Sequence, residues 1–433
     1  MEKEMVADKG ENEHDIVIVG PELAALLLHL LFTGPALLLL ILTLFYNQIT
    51  EDILKGFKDV VVYESSERLR VEGTAMRVSM NGWRALDQLG VGPQLRNKAI
   101  LLHGEEDVWI DRGRRANVPI NGEVRCLKRR DVIEALADAL PPKTIRFGCK
   151  AIAVETDPQS MSPVLQLTDG RVVRAKVLIG CDGLYSKVAN YLGLKPPSVL
   201  GVGCVRGLTN YPNGHCFLSV SIRMKRDQGV VNLIGRIPIN DKLVYWFVGL
   251  KMSQLDEKYP NDPELVKQET LKHVTGFPPD AIEMIAKSNV DSVSFAHLRY
   301  RLQWEILMGK FYKGSVTVLG DAMHAIGSFL GQGGSAALED AMVLARNMGQ
   351  KVLCLGQSDE GGQQIMNPER IEAAFDQYVK ERRNKILRLS LQTHLIGVIL
   401  GSTSSVAKFI AVFILLTVFR DESAHSKYDC GKL

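Results

Sequence analysis

The sequence predicts an α/β chain in which apolar strands run directly into glycine-marked helix starts, with a second sheet in the middle and a helical region at the C-terminus. Three observations carry this prediction. Residues 314–346, GSVTVLGDAMHAIGSFLGQGGSAALEDAMVLAR, join an apolar run (Val316, Val318, Leu319) to Gly320 and Asp321. Gly331, Gln332, Gly333 and Gly334 follow, and then a helix beginning near Ser335. Residues 177–193, VLIGCDGLYSKVANYLG, repeat the device: Val177 to Ile179 lead into Asp182, Gly183 and a helix with Ser186 near its start. Between the two corners, residues 199–300 change character, with FLSVSIRM, GVVNLIGRIPI and KLVYWFVGLK reading as strands separated by turn residues.

The corners suit phosphorylated ligands for a physical reason. Glycine has no Cβ, so the backbone N–H groups of Gly331, Gly333 and Gly334 can approach an anion, and the helix start adds the positive end of its dipole. Asp321 stands where a carboxylate reaches a sugar hydroxyl. One such cluster alone reads as an ordinary strand-turn-helix corner; two in one chain do not.

In chain order, Ile16 to Val19 form the first buried strand and end at Gly20. Val60 to Tyr63 form the next and end at Glu64, the position from which a dinucleotide fold holds the adenosine ribose. Residues 144–179 read as a three-strand meander (TIRFGCKAIAVE, VLQLT, an Asp169-Gly170 turn, VVRAKVLIG). After the middle strands, PELVKQETLKHVTG and PDAIEMIAKS have helical periodicity. Phe217, Tyr245, Trp246 and Phe247 are either plain core or the lining of a pocket for an apolar or aromatic substrate. Residues 368–390 read as a charged helix that passes without a linker into the apolar stretch 391–419.

Composition narrows the function classes. The 433 residues suffice for two or more domains, and a net charge of +3 gives no field for nucleic acid. Seven cysteines without a CxxC pair fit a reducing compartment and offer no zinc-site spacing. The acidic start MEKEMVADKGENEHD is unlike a secretory or transit peptide, so the expected location is cytoplasmic. Asp321 and His324 have no HExxH context, no GxSxG elbow occurs, and no GxxxxGK[ST] loop is present, which sets aside metal, hydrolase and triphosphatase readings. Residues 23–45 reach bilayer-spanning length, whereas 409–419 do not; the stretch 391–419 is expected to lie on a membrane surface or to pack as a helical arm.

Together, the paired strand-Asp-Gly-helix corners and DIVIVGPELAAL at 15–26 resemble the FAD-dependent aromatic-ring hydroxylases of the para-hydroxybenzoate hydroxylase fold. The tract MNGWRALDQLGVGPQLR at 80–96 and the terminal YDCGKL are most similar to the plant salicylate-hydroxylase-like monooxygenases. The resemblance covers nearly the whole chain except about 29–52. It implies a Rossmann-like FAD/NAD(P)-binding domain (14–198, continued at 301–360), a mixed-sheet substrate domain (199–300) and a helical C-terminal region (361–433). The implied cofactor is FAD, with NADPH or NADH as co-substrate, O2 as oxidant and a small molecule as substrate.

The resemblance also implies roles for residues. Gly20 would open the first glycine turn, and Glu64 would hold the ribose. Arg129, in Arg129-Arg130-Asp131-Val132, would pair with FAD phosphate, while Arg70 and Gly73 would pass near the flavin. Asp182 and Gly183 match a corner used for both FAD and the nicotinamide cofactor. Asp321 would bind the ribityl or pyrophosphate side of FAD, and Gly331 to Gly334 would approach the isoalloxazine and phosphates. No nucleophile or acid–base constellation is implied, because the cofactor carries the chemistry.

Three departures from the family pattern have consequences. Ala325 and Ser328 stand where the family has prolines, which predicts a looser loop and leakage of reducing equivalents to peroxide in the absence of substrate. Glu22 replaces the second glycine of the first turn and brings bulk and like charge to the pyrophosphate. The chain from Gly20 to Glu64 is far longer than the about 25 residues the fingerprint needs. Residues 29–52 therefore read as a translated intron or faulty gene prediction, with a membrane segment as the alternative. The competing function is accordingly a flavoprotein-like scaffold with impaired FAD binding, attached to a membrane.

Overall fold

The computed structural model describes residues 13–20, 59–69, 74–118, 120, 122–226, 229–252, 261–353, 366–402, 404–419 and 426–431. Glu22, the segment 29–52, the apolar stretch 23–45, and the flavin-side expectations Arg70 and Gly73 all lie outside the described residues.

A parallel sheet forms the first layer. Its centre runs β7 (Ile145–Arg146), β2 (Val60–Tyr63), β1 (Glu13–Val19), β10 (Val172–Gly180) and β17 (Val316–Val318), all parallel. β16 (Tyr312–Lys313) closes one edge antiparallel. Ile16, Ile18, Val62, Val177, Ile179 and Val318 are fully buried, as expected of strands covered on both faces. β8 (Ala151–Thr156), β9 (Pro163–Leu167) and β10 form the meander. From the sequence, residues 144–155 are expected to form a single first strand. Here Ile145–Arg146 instead extends the parallel sheet beside β2, because Gly148 takes a left-handed turn (φ +68°) that separates it from β8.

The second sheet has the order β15 (Ser294–Tyr300), β11 (Ser198–Asn210), β14 (Leu243–Lys251), β13 (Val231–Pro238), β12 (Val220–Lys225), β4 (Gly104–Trp109) and β5 (Arg114–Val118). The three middle strands expected from sequence are present. β4 and β5 join them from the segment assigned by sequence to the first part of the chain, β4 pairing parallel to β12. A small ladder of β3 (Ala75–Val78) and β6 (Arg125–Lys128) lies outside both sheets.

One face of the second sheet is covered by α5 (Pro263–His273) and α6 (Pro279–Ala286), with Trp246, Val244, Val248 and Ile234 in the interface core. Alternation places Arg206, Tyr245 and Phe247 on the opposite face. The aromatic tract is thus divided. Trp246 is core, Tyr245 and Phe247 look the other way, and Phe217 packs with Tyr211 and His215 beneath Arg236.

The remaining helices are α1 (Met80–Gln88), α2 (Gly92–Arg96), α3 (Arg129–Asp138), α4 (Lys187–Tyr191), α7 (Gln303–Met308), α8 (Gly333–Met348), α9 (Pro368–Gly401) and α10 (Ser405–Val418). α9 starts with Asn367 accepting from Glu369 N and Pro368 at the first helical position, and runs unbroken from the charged into the apolar tract. α10 packs back on it as a helical arm, Ala411 and Phe419 meeting Leu395. Among the described residues no helix is long and apolar enough to cross a membrane.

Candidate functional site

β1, β2, β10 and β17 are parallel, so their C-terminal ends share one edge, and each is followed shortly by a residue singled out by sequence: Gly20, Glu64, Asp182 and Asp321. Ligands in open α/β sheets bind at this edge. The approach is close at Gly20, whose φ of +110° is left-handed and where a Cβ would meet Asp182 Cα at 2.6 Å.

Glu64 is buried at 1% exposure. Its Oε1 accepts from Ser66 N at 2.6 Å and Ser65 Oγ at 3.1 Å, while Oε2 has no partner among the described residues. A buried carboxylate oxygen left unsatisfied costs free energy unless a donor arrives, and a ribose hydroxyl is such a donor. Asp182 differs. Its two oxygens are engaged by Ser186 Oγ (2.5 Å) and Lys187 N (2.7 Å), and Ser186 in turn caps α4 by accepting from Ala189 N. Burial pushes the Asp182 carboxyl up, against those bonds. Its side chain builds the corner, and Gly183 (φ +75°) turns the chain past it.

Asp321 sits in a short turn, Gly320–Ala322, packed against the turn that holds Gly183. Burial raises its carboxyl, and His324, Arg129 and Arg206 oppose that shift by charge. Arg129 therefore reaches the same locus as Asp321; it begins α3, with its N–H donating to Thr74 O. Arg206 was not identified from the sequence. It is the cation on β11 whose charge is felt by both Asp321 and Tyr245, and burial lifts the Tyr245 hydroxyl well above its ordinary range. The available signal was a charged residue inside the apolar run of β11; alternation alone does not say which face looks at the corners.

The glycine-rich loop closes the site. Gly331 is left-handed (φ +61°) and backs onto Arg77; a Cβ on Gly334 would come within 2.5 Å of Met76 Cε. Gly333 opens α8, so the first N–H groups of that helix face the same locus. Gln332 turns its side chain away: Nε2 donates to Ser79 Oγ (3.0 Å) and Oε1 accepts from Asn81 Nδ2 (3.1 Å), leaving its backbone for a ligand. The loop is also anchored more firmly than the missing prolines suggested. Ala325 is buried with φ +35°, a value closed to proline, and its carbonyl accepts from Arg301 N at 3.0 Å.

Beneath the loop lies an ion network. Asp340 accepts from Arg382 Nε (2.6 Å), His324 Nε2 (2.6 Å) and Gly320 N (3.1 Å), and Arg382 and His324 hold its carboxyl down to about 2 despite burial. The residues present thus fit a dinucleotide: an orphaned buried carboxylate, bare backbone at two turns, a helix start and cations at one edge.

Comparison with known proteins agrees with this geometry. A sequence profile described as "FAD binding domain" matches residues 54–370, more than half of the chain. The chain is 45% identical over 382 residues to "Monooxygenase 1" of Arabidopsis thaliana, covering 88% of this chain and 94% of that protein. It is 32% identical to "Monooxygenase 2" of the same plant, covering 86% and 92%. Among solved structures, Klebsiella pneumoniae HpxO complexed with FAD and uric acid superposes with a TM-score of 0.69 at 17% identity, over 93% of this chain and 92% of that one. The tetrameric form of 2-methyl-3-hydroxypyridine-5-carboxylic acid oxygenase superposes with a TM-score of 0.66 at 19% identity, over 97% and 98%. At these identities the superpositions speak for the fold.

Proposed function

Because the chain belongs to the FAD-dependent aromatic-ring hydroxylase family, we propose that it is a monooxygenase that uses NADPH or NADH and O2 to hydroxylate or epoxidise a small aromatic or apolar substrate. The observation that carries this reading is the convergence of Gly20, Glu64, Asp182 and Asp321 at the C-terminal ends of four parallel strands. FAD, when bound, would supply the electron transfer and oxygen activation.

The chain's own residues would bind and orient. The unsatisfied Oε2 of Glu64 suits the adenosine ribose, and the bare backbone at Gly20 the pyrophosphate. Arg129 would pair with phosphate, assisted by Gly183, whose turn carries the chain past the same edge. Asp321 would accept from ribityl hydroxyls. Gly331, Gly333, Gly334 and the backbone of Gln332 would present N–H groups, reinforced by the α8 dipole, to the ring and phosphates. From the resemblance, Arg70 and Gly73 complete this set. The substrate would lie between the loop 325–331 and the inner face of the second sheet, where Phe247 and Phe329 pack with Cys204 and Leu298 and where Tyr245 and Arg206 provide polar contact. The flavin would then be held by 14–198 and 301–360 and the substrate by 199–300, with β4 and β5 lent to the substrate sheet.

The test is reconstitution. The purified chain is titrated with FAD by fluorescence quenching, then assayed for NADPH and NADH oxidation and peroxide release with a panel of phenols and aromatic acids. Yellow protein with substrate-stimulated oxidation supports the reading. Folded, colourless protein that does not take up FAD selects the scaffold alternative, for which Glu22 and the segment 29–52 are the motive.

A further inference from the structure

We propose that the C-terminal strap, residues 426–431, positions the glycine-rich loop at 331–334 through a buried relay running Tyr428, Lys385, Glu339, Asn81, Gln332. The inference rests on the reading of that loop as flavin-facing.

The strap ties three helices together. Arg84 of α1 donates to the carbonyls of Lys427 (3.1 Å) and Tyr428 (2.9 Å), and Gln88 to that of Gly431 (2.9 Å). Arg346 of α8 donates to the Cys430 carbonyl, and the Tyr428 hydroxyl donates to Glu381 of α9 at 2.8 Å. These contacts place the Tyr428 ring over two cations of α9, Lys385 Nζ at 4.1 Å and the Arg382 guanidinium carbon at 5.1 Å from the ring centroid. Both cations face Glu339, which is fully buried on α8. Arg382 stands 2.7 Å from Oε2, and Lys385 bonds Oε1. Asn81 Nδ2 meets the same carboxylate at 2.6 Å and also donates to Gln332 Oε1, in the middle of the glycine loop.

The physical logic is that of a buried charge needing its partners held. Glu339 has no access to water, so its stability depends on Lys385, Arg382 and Asn81 remaining in place. The Tyr428 ring covers the two cations with its negative face and keeps solvent from their heads, so the pairs act at low dielectric. Without the ring, the long Lys385 side chain can carry its ammonium out to water. Asn81 is then drawn further onto the undercompensated carboxylate, and its bond to Gln332 weakens. Burial already pulls Lys385 down to about 8, so its charge depends on these surroundings. The hydroxyl of Tyr428 donates to Glu381 and also stands near Arg382; over Lys385 it is the ring that acts.

Three variants separate this role from general folding. Tyr428→Leu removes ring and hydroxyl, Tyr428→Phe removes the hydroxyl alone, and Lys385→Met breaks the relay without touching the strap's backbone contacts. Amide hydrogen exchange is followed on the unliganded full-length chain, and FAD affinity is measured by fluorescence. Tyr428→Leu and Lys385→Met are expected to speed exchange at 331–336 by roughly tenfold and to weaken FAD binding by a similar factor, with exchange in β1 and β10 unchanged; Tyr428→Phe is expected to behave as wild type. Unchanged exchange at 331–336 in Tyr428→Leu, or a Phe variant as impaired as the Leu variant, overturns the proposal. A wild-type chain that fails to take up FAD overturns the function proposed above, and the exchange measurement still decides the relay.

Discussion

Asp321, half-buried in the turn Gly320–Ala322, and Asp340, fully buried within α8 and bonded to Gly320 N, flank the same corner, and their carboxyls move in opposite directions. Asp321 is raised by burial, and the charges of His324, Arg129 and Arg206 only partly offset it. Asp340, bonded to Arg382, His324 and Gly320, is held at about 2. One carboxylate is left wanting partners and the other is saturated. The difference marks which of them is available to a ligand and which is scaffold: a site group is kept short of donors until the ligand supplies them.

The sharpest way to break the comparison is to remove the saturating cation. Arg382→Met leaves Glu339 and Asp340 as buried charges short of a partner, and a loss of about 3–5 kcal/mol in unfolding free energy is expected in urea titrations. A loss below about 1 kcal/mol would mean that the pair is solvated. Asp321→Ala should do the reverse: the unliganded protein keeps or gains stability, while FAD affinity falls roughly 10- to 100-fold, the worth of a hydrogen bond to a charged group. Equal FAD affinity in that variant would remove Asp321 from the site.

Acid titration distinguishes the same two groups by sign. Asp340 has a folded-state value of about 2 against an ordinary 3.8, so its contribution of about 2 kcal/mol is complete above pH ~4 and disappears as pH falls through 2. Asp321 has a raised value, so its ionisation in the fold costs stability above pH ~4. In thermal melts across pH, Asp340→Asn should lose on wild type as pH rises from about 2 to about 4, and Asp321→Asn should gain on wild type as pH rises further from about 4. Parallel curves for the two variants would contradict the opposite shifts.

Much of the first sheet was legible because its signals are local. A run such as Val60 to Tyr63, ended by Glu64, or Val316 to Val318, ended by Gly320 and Asp321, carries strand and site in adjacent residues. The second sheet's strands were legible by alternation, yet Arg206 escaped because alternation gives two faces without saying which one meets the corners. β4 and β5 escaped because a parallel pairing to β12 joins residues far apart in the chain. The same holds for Asn81, whose partner Glu339 stands 258 positions away, and for the terminal YDCGKL, which resembled a family signature without showing its work beneath Tyr428. Arg70, Gly73 and Glu22 lie outside the described residues, so their expected roles stand on resemblance.

The smallest expected effect concerns the loop that links the two aspartates. Ala325 holds φ +35°, which brings its Cβ against its own backbone, at a position whose carbonyl is needed by Arg301 and whose neighbour His324 is tied to Asp340. The conformation is therefore imposed by the anchors on either side of it. Glycine adopts it without strain but has more freedom to lose from the unfolded chain, so the relief is partly offset. Ala325→Gly should stabilise the unliganded protein by about 0.5 kcal/mol, a rise of about 0.5 °C in Tm for a chain of this size. If Ala325→Gly instead loses about 1 kcal/mol or more, the methyl group is contributing packing that outweighs the strain, and the loop is held by its side chains as much as by its backbone.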